Sequence, residues 1–243
     1  MKNQYVGDIG DYGKMGLLRI LQNAGFRVGV NWYLTPDDNS KDGRHIHYLD
    51  KQCDTPDIRL YRTLYQLVKT GCRNISGLEL PDLLPDAVFY NTVLDYSQTN
   101  QAQERKAIRA RWNESAQRRL KGCDIVFLDP DNGLEVNSTK PYDITGNKYV
   151  TYQEAAQYYA EGKSVLIYNH RDRSTEEKYI ERFHRFCGIP ETKDANLLCL
   201  TFRRVSVRDY VLLSQTEHLN RLKSAMDYLF GSSWADYFAY RAI

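Results

Sequence analysis

Hydrophobic positions along the chain fall into short continuous apolar runs and longer stretches with helical spacing. The sharpest run is Ile125-Val126-Phe127-Leu128, long enough for a buried strand and too short for a helix. It stops at Asp129-Pro130-Asp131-Asn132-Gly133, which is turn chemistry: Pro fixes φ, and Asn and Gly tolerate positive φ. A second run, residues 163–170, ends in Asn169-His170-Arg171. β-branched and aromatic residues predict further strands at 26–34, 45–49 and 87–94, the last after a short helix, and a hairpin from 195–203 and 208–215. Helical spacing marks Met15, Leu18 and Leu21, closed by Gly25, and then 57–70, 101–121, 152–161, 175–186 and 217–230. Strands alternating with helices predict an α/β, Rossmann-like fold whose mostly parallel sheet ends in a C-terminal antiparallel hairpin. No linker interrupts residues 1–243, so a single domain is expected.

Composition mainly excludes. A formal charge of +2 does not announce a nucleic-acid binder, although it leaves local basic patches open. No apolar run approaches the roughly 20 residues that span a bilayer, and the first residues lack the apolar core of a signal peptide. Cys53, Cys72, Cys123, Cys187 and Cys199 never form a C-x-x-C pair, which predicts reduced thiols in a cytoplasmic protein and no zinc site.

A buried strand that ends in carboxylates delivers them to the carboxyl edge of the sheet, where open α/β folds bind ligands. Asp129, Pro130, Asp131 and Asn132 are therefore candidate catalytic residues, joined by His170 and Arg171 from the second run. Near the start, Gly7, Gly10, Gly13 and Gly16 alternate with Asp8, Asp11 and Lys14. A glycine-rich loop opening a helix can hold an anion on free N–H groups, but the Walker spacing is absent, and a tightly packed N-terminal loop explains the pattern equally well. His45 and His47 would share one strand face; with no third ligand nearby they read as structural. The 101–121 helix buries Ile108, Trp112, Ala116 and Leu120. Its other faces carry Arg105, Lys106, Arg109, Arg111, Arg118, Arg119 and Lys121, a charge run that would grip RNA or DNA phosphates or simply be solvated.

The strand–helix–strand–helix–hairpin order resembles the second half of class I S-adenosylmethionine (SAM)-dependent methyltransferases. Asp129-Pro130-Asp131-Asn132 is similar to the Asp-Pro-Pro-Tyr motif of adenine-N6 methyltransferases, especially the bacterial large-subunit rRNA group. The Gly-Asp N-terminus and residues 127–135 also resemble a widespread bacterial family without an assigned function. The methyltransferase resemblance implies SAM as cofactor, held by Asp8, Asp11, Lys14, Asn31 and Trp32. It also implies Asp129 accepting hydrogen bonds from a substrate amine while Pro130 presents its carbonyl. Asn132 replaces the aromatic that would stack on a flipped base, Asp131 replaces the second proline, and the turn after Asn31 lacks the usual glycine.

Two alternatives compete. In metal-assisted hydrolysis, Asp129 and Asp131 would ligate Mg²⁺ or Mn²⁺ with Asn132 or Glu135, His170 would be base or ligand, and Arg171 would stabilise phosphoryl charge. In a non-enzymatic module, the basic helix would bind nucleic acid or protein. Both enzymatic readings require Asp129, Asp131 and His170 around one hollow.

Overall fold

The computed structural model describes residues 1–38, 43–50, 55–205 and 207–243; Cys53 and part of the polar stretch 35–44 lie outside the described residues. Four strands, β1 (Val28–Asn31), β2 (Val88–Tyr90), β3 (Ile125–Leu128) and β6 (Ser164–His170), run parallel in the order β2-β1-β3-β6. Beyond β6 the sheet continues as β8 (Arg208–Ser214), β7 (Asn196–Phe202) and β9 (Phe238–Arg241), each antiparallel to its neighbour. Two short strands, β4 (Gly133–Leu134) and β5 (Tyr149–Val150), pair separately beside the end of β3.

The strand runs are continuously apolar because helices cover both faces of the sheet. Ile125 and Phe127, with Leu166, Tyr168, Tyr210 and Leu212, face the helices α1 (Ile9–Asn23), α2 (Ile58–Lys69) and α6 (Leu219–Gly231). Val126 and Leu128, with Val165, Ile167, Val211 and Leu213, face α3 (Ala102–Arg119), α4 (Tyr152–Ala160) and α5 (Glu176–His184). Successive strand side chains point to opposite faces, so this alternation decides where the polar residues after each strand go. Among the described residues no helix is long and apolar enough to cross a membrane.

The structure departs from the sequence pattern in four places. Residues 45–49 form no strand: Leu49 donates its N–H to the carbonyl of Ile46, and His47–Asp50 is a 3-10 turn with His47 exposed. The predicted 87–94 strand keeps only Val88–Tyr90, preceded by the 3-10 turn Ile75–Gly77 rather than a helix. Strand β9 and the β4–β5 pair carry little periodic signal and appear only in the fold. The glycines are not a phosphate loop. Asp8 caps α1 by accepting from the N–H of Asp11, so Gly10, Gly13 and Gly16 lie inside the helix. A Cβ on Gly13 would stand 2.6 Å from the Phe202 ring, and one on Gly16 would enter the Trp234 ring. Their smallness serves close packing of α1.

Candidate functional site

The alternation that buries Ile125 and Phe127 carries Asp129 onto the α1 side of the sheet. The same rule takes His170 there after Leu166 and Tyr168, and Arg208 there ahead of Tyr210 and Leu212. Helix α1 enters beneath this edge and presents Lys14 one turn from its capped start. These residues, with Asp8, Pro130, Asp131 and Asn132, line one cavity of about 320 Å³ whose rim holds Arg44 and His45. Its size is at the lower end for small-molecule sites.

Charge inside the cavity is tightly paired. Lys14 Nζ lies 3.0 Å from Asp129 Oδ2 and 3.2 Å from Asp11 Oδ1, above the Tyr168 ring at 4.3 Å. Asp131 Oδ1 lies 2.5 Å from the α-amino group of Met1, and Asp131 Oδ2 accepts from Thr35 Oγ1 at 3.1 Å. That α-amino group also donates to the carbonyls of Tyr33 and Asp129, so residue 1 fills the crevice between the ends of β1 and β3. Asp129 is 1% exposed, yet its Oδ1 accepts no hydrogen bond. Burial raises its carboxyl despite Lys14. Burial likewise brings Asp11 up to about 6 and raises Asp8. Asp131 behaves oppositely: burial would raise it, but the Met1 ammonium and Lys2 outweigh that and hold it low. For Lys14 the neighbouring carboxylates outweigh burial and keep it protonated. Burial, with Arg208 and Lys14 close by, lowers His170 to about 3, so its imidazole is neutral at physiological pH.

The loop carrying these groups is fixed from behind. Asp129 N–H donates to the Asn31 carbonyl and Asn132 N–H to the Lys148 carbonyl. Gly133 sits at φ 101, where a Cβ would collide with the Asn169 carboxamide. Asn169 points to the opposite face from His170; its Oδ1 accepts from the N–H of Leu134 and its Nδ2 donates to Tyr179 Oη. The left-handed φ of 44 at Tyr33 is held by Asn31 Oδ1 accepting from its N–H and by its hydroxyl reaching Glu154.

Several predicted site residues do not reach the cavity. Asp11 backs it from behind Lys14, its Oδ2 taken by the N–H of Gly7. Asn31 is fully buried and spends its amide on Tyr158 and the Tyr33 turn. Trp32 is a core residue whose indole N–H donates to Glu79. Arg171 pairs with Glu176 instead of facing Asp129, and Glu135 accepts from the N–H of Tyr152 at the start of α4. On α3, Trp112, Ala116 and Leu120 are buried as expected, but so are Arg105 and Arg109. Arg109 donates to Glu154 and to the carbonyls of Pro141, Gly146 and Tyr149, and Arg105 donates to the carbonyls of Tyr142 and Thr99. Neither is available to a phosphate, and no α3 residue lines the cavity. Arg208 was not singled out from the sequence. Only the pairing of β8 beside β6, opposite His170, brings it in.

Among the described residues, no group of three or more His, Cys, Asp or Glu side chains is arranged to hold a metal ion. In comparisons with known proteins, no family model matches the chain, and neither a curated protein nor a solved structure does.

Proposed function

We propose that the cavity is the active site of a methyltransferase-like enzyme acting on an amine-bearing substrate. The observation that carries this reading is Asp129, a residue that lines the cavity: one carboxylate oxygen is anchored by Lys14, and the other is buried with no hydrogen-bond donor. A buried acceptor without a donor is costly, so a ligand N–H that satisfies it gains more than it would in water. The parallel pair β3–β6 followed by the antiparallel β7–β8 pair agrees with the strand arrangement that the methyltransferase resemblance implies.

Asp129 Oδ1 accepts the amine hydrogen and orients the nitrogen, while positioning rather than proton chemistry does most of the work. His170, held neutral beside Arg208 and Lys14, is a hydrogen-bonding group on the same cavity and a poor proton acceptor, so the proton released from the methylated amine passes to solvent. SAM does not fit the crevice between β1 and β3, which residue 1 fills, and Asn31 and Trp32 are closed into the core. The residues that would hold it are those of the cavity itself, Asp8 foremost, and bound there it would supply an electrophilic methyl group. Metal-assisted hydrolysis draws less support, because Asp129 is ion-paired to Lys14 and Asp131 to Lys2.

The test is transfer of label from methyl-labelled SAM to total RNA, denatured DNA and a set of small amines, with calorimetry of SAM binding alongside. Label transfer lost in Asp129→Ala is the expected result. Absence of both SAM binding and label transfer in a folded protein would remove the reading.

A further inference from the structure

A second group at the cavity lacks a partner. Arg208 Nε is buried without a hydrogen-bond acceptor, and its Nη1 reaches only the adjacent Val207 carbonyl at 3.0 Å. Register sets Arg208 directly across from His170, on the face that carries Asp129 and Lys14. Arg44 stands exposed at the rim and forms no ion pair among the described residues. Lys14 is committed to Asp129 and Asp11, so it adds little free positive charge. Asp8 faces the same space, but its carboxylate accepts from the N–H of Asp11 and forms no ion pair with Arg208.

We propose that Arg208, with Arg44, forms an oxyanion subsite for a phosphate group on the same ligand whose amine meets Asp129, an inference that rests on the reading of Asp129 above. Two guanidinium groups that form no ion pair among the described residues match a phosphate ester better than a single carboxylate, because the monoester carries about −1.5 to −2 charges at neutral pH. The planar guanidinium fork also suits bidentate contact with phosphate oxygens. A cavity of about 320 Å³ admits no stretch of duplex, and with Arg44 exposed at its rim only part of a nucleotide need lie inside it. The substrate class is therefore an amine-bearing phosphate monoester such as a free nucleotide; a nucleotide of a strand taken out of its stack, whose phosphodiester carries a single charge, is the alternative outcome of the test.

The experiment is calorimetric titration of the full chain with inorganic phosphate, acetate, an amine-bearing nucleoside monophosphate and a short single strand of the same base. Phosphate should bind at least tenfold more tightly than acetate. Arg208→Gln should weaken phosphate at least tenfold and Arg44→Gln at least threefold, with far-UV circular dichroism unchanged. Should Arg208→Gln fail to fold, Arg208→Lys and the exposed Arg44→Gln carry the test. A mononucleotide that outbinds the strand assigns the phosphate to a free ligand, and the reverse, with steep salt dependence, assigns it to a nucleic acid. Phosphate binding indifferent to both arginines, equal to acetate, or absent would overturn the subsite. Phosphate bound through Arg208 without any methyl transfer would leave the subsite standing and remove the methyltransferase reading instead.

Discussion

Lys14→Met tests the electrostatic centre of the molecule. The substitution keeps an unbranched side chain but removes the ammonium that lies 3.0 Å from Asp129 and 3.2 Å from Asp11. Breaking a buried ion pair by deleting one partner typically costs about 3–5 kcal/mol, because the other charge stays buried. For a chain of this length 1 kcal/mol moves Tm by about 2–4 °C, so a fall of roughly 6–20 °C is expected near neutral pH. The pH dependence identifies the cause. Burial already brings Asp11 to about 6 and raises Asp129, and without Lys14 both carboxyls rise further. A carboxyl whose folded pKa exceeds its unfolded value binds more protons in the folded state. Its folded form is then favoured below the unfolded pKa and loses stability as pH rises through the folded one. The deficit of Lys14→Met should therefore be small at pH 5 and full at pH 8, read as the difference in urea midpoints at the two pH values. Adding Asp129→Asn should recover part of it at pH 8. A deficit below about 1 kcal/mol at pH 8, or one equal at both pH values, would refute the idea that Lys14 neutralises a buried carboxylate cluster.

Other outcomes follow from the same geometry. Glu154→Ala should cost about 3–5 kcal/mol at neutral pH by stranding buried Arg109, measured by urea unfolding. Its pH signature runs opposite to that of Lys14: burial would raise Glu154, but Arg109 outweighs it and holds the carboxyl low. That stability is present above the unfolded value of 4.5 and lost as pH falls through the folded pKa, so wild type and variant should converge only in stronger acid. Gly13→Ala gains about 1 kcal/mol of helix propensity but drives a Cβ into the Phe202 ring, so a net loss of about 1–2 kcal/mol is expected. A variant melting above wild type would show that α1 does not need the glycine for packing.

Much of the fold is legible in the residues because burial leaves a local trace. The apolar runs at β3 and β6 and the stripe of Trp112, Ala116 and Leu120 are patterns one element long, and each appears where periodicity puts it. The turn chemistry of Asp129 to Gly133 likewise marks the end of a strand, and Gly133 takes the positive φ that the turn requires. Two of the basic side chains counted on α3, Arg105 and Arg109, mislead for the converse reason. Sequence spacing reveals charge but not its partners, and Glu154 with three carbonyls takes Arg109 out of solvent. The glycine pattern of α1 misleads in the same way, since the Phe202 and Trp234 rings that demand it lie far along the chain.

The residues alone therefore determine which segments are strands and helices, and that carboxylates and a histidine stand at strand ends. Only the tertiary structure decides that Asp129, His170, Lys14 and Arg208 share one cavity while Asn31, Trp32 and Arg171 do not. Strand order and face are set by packing between distant segments: β8 beside β6 supplies Arg208, and α1 beneath the sheet supplies Lys14. The physical reason is that periodicity encodes a side chain's relation to its own element, whereas a site is a relation between elements.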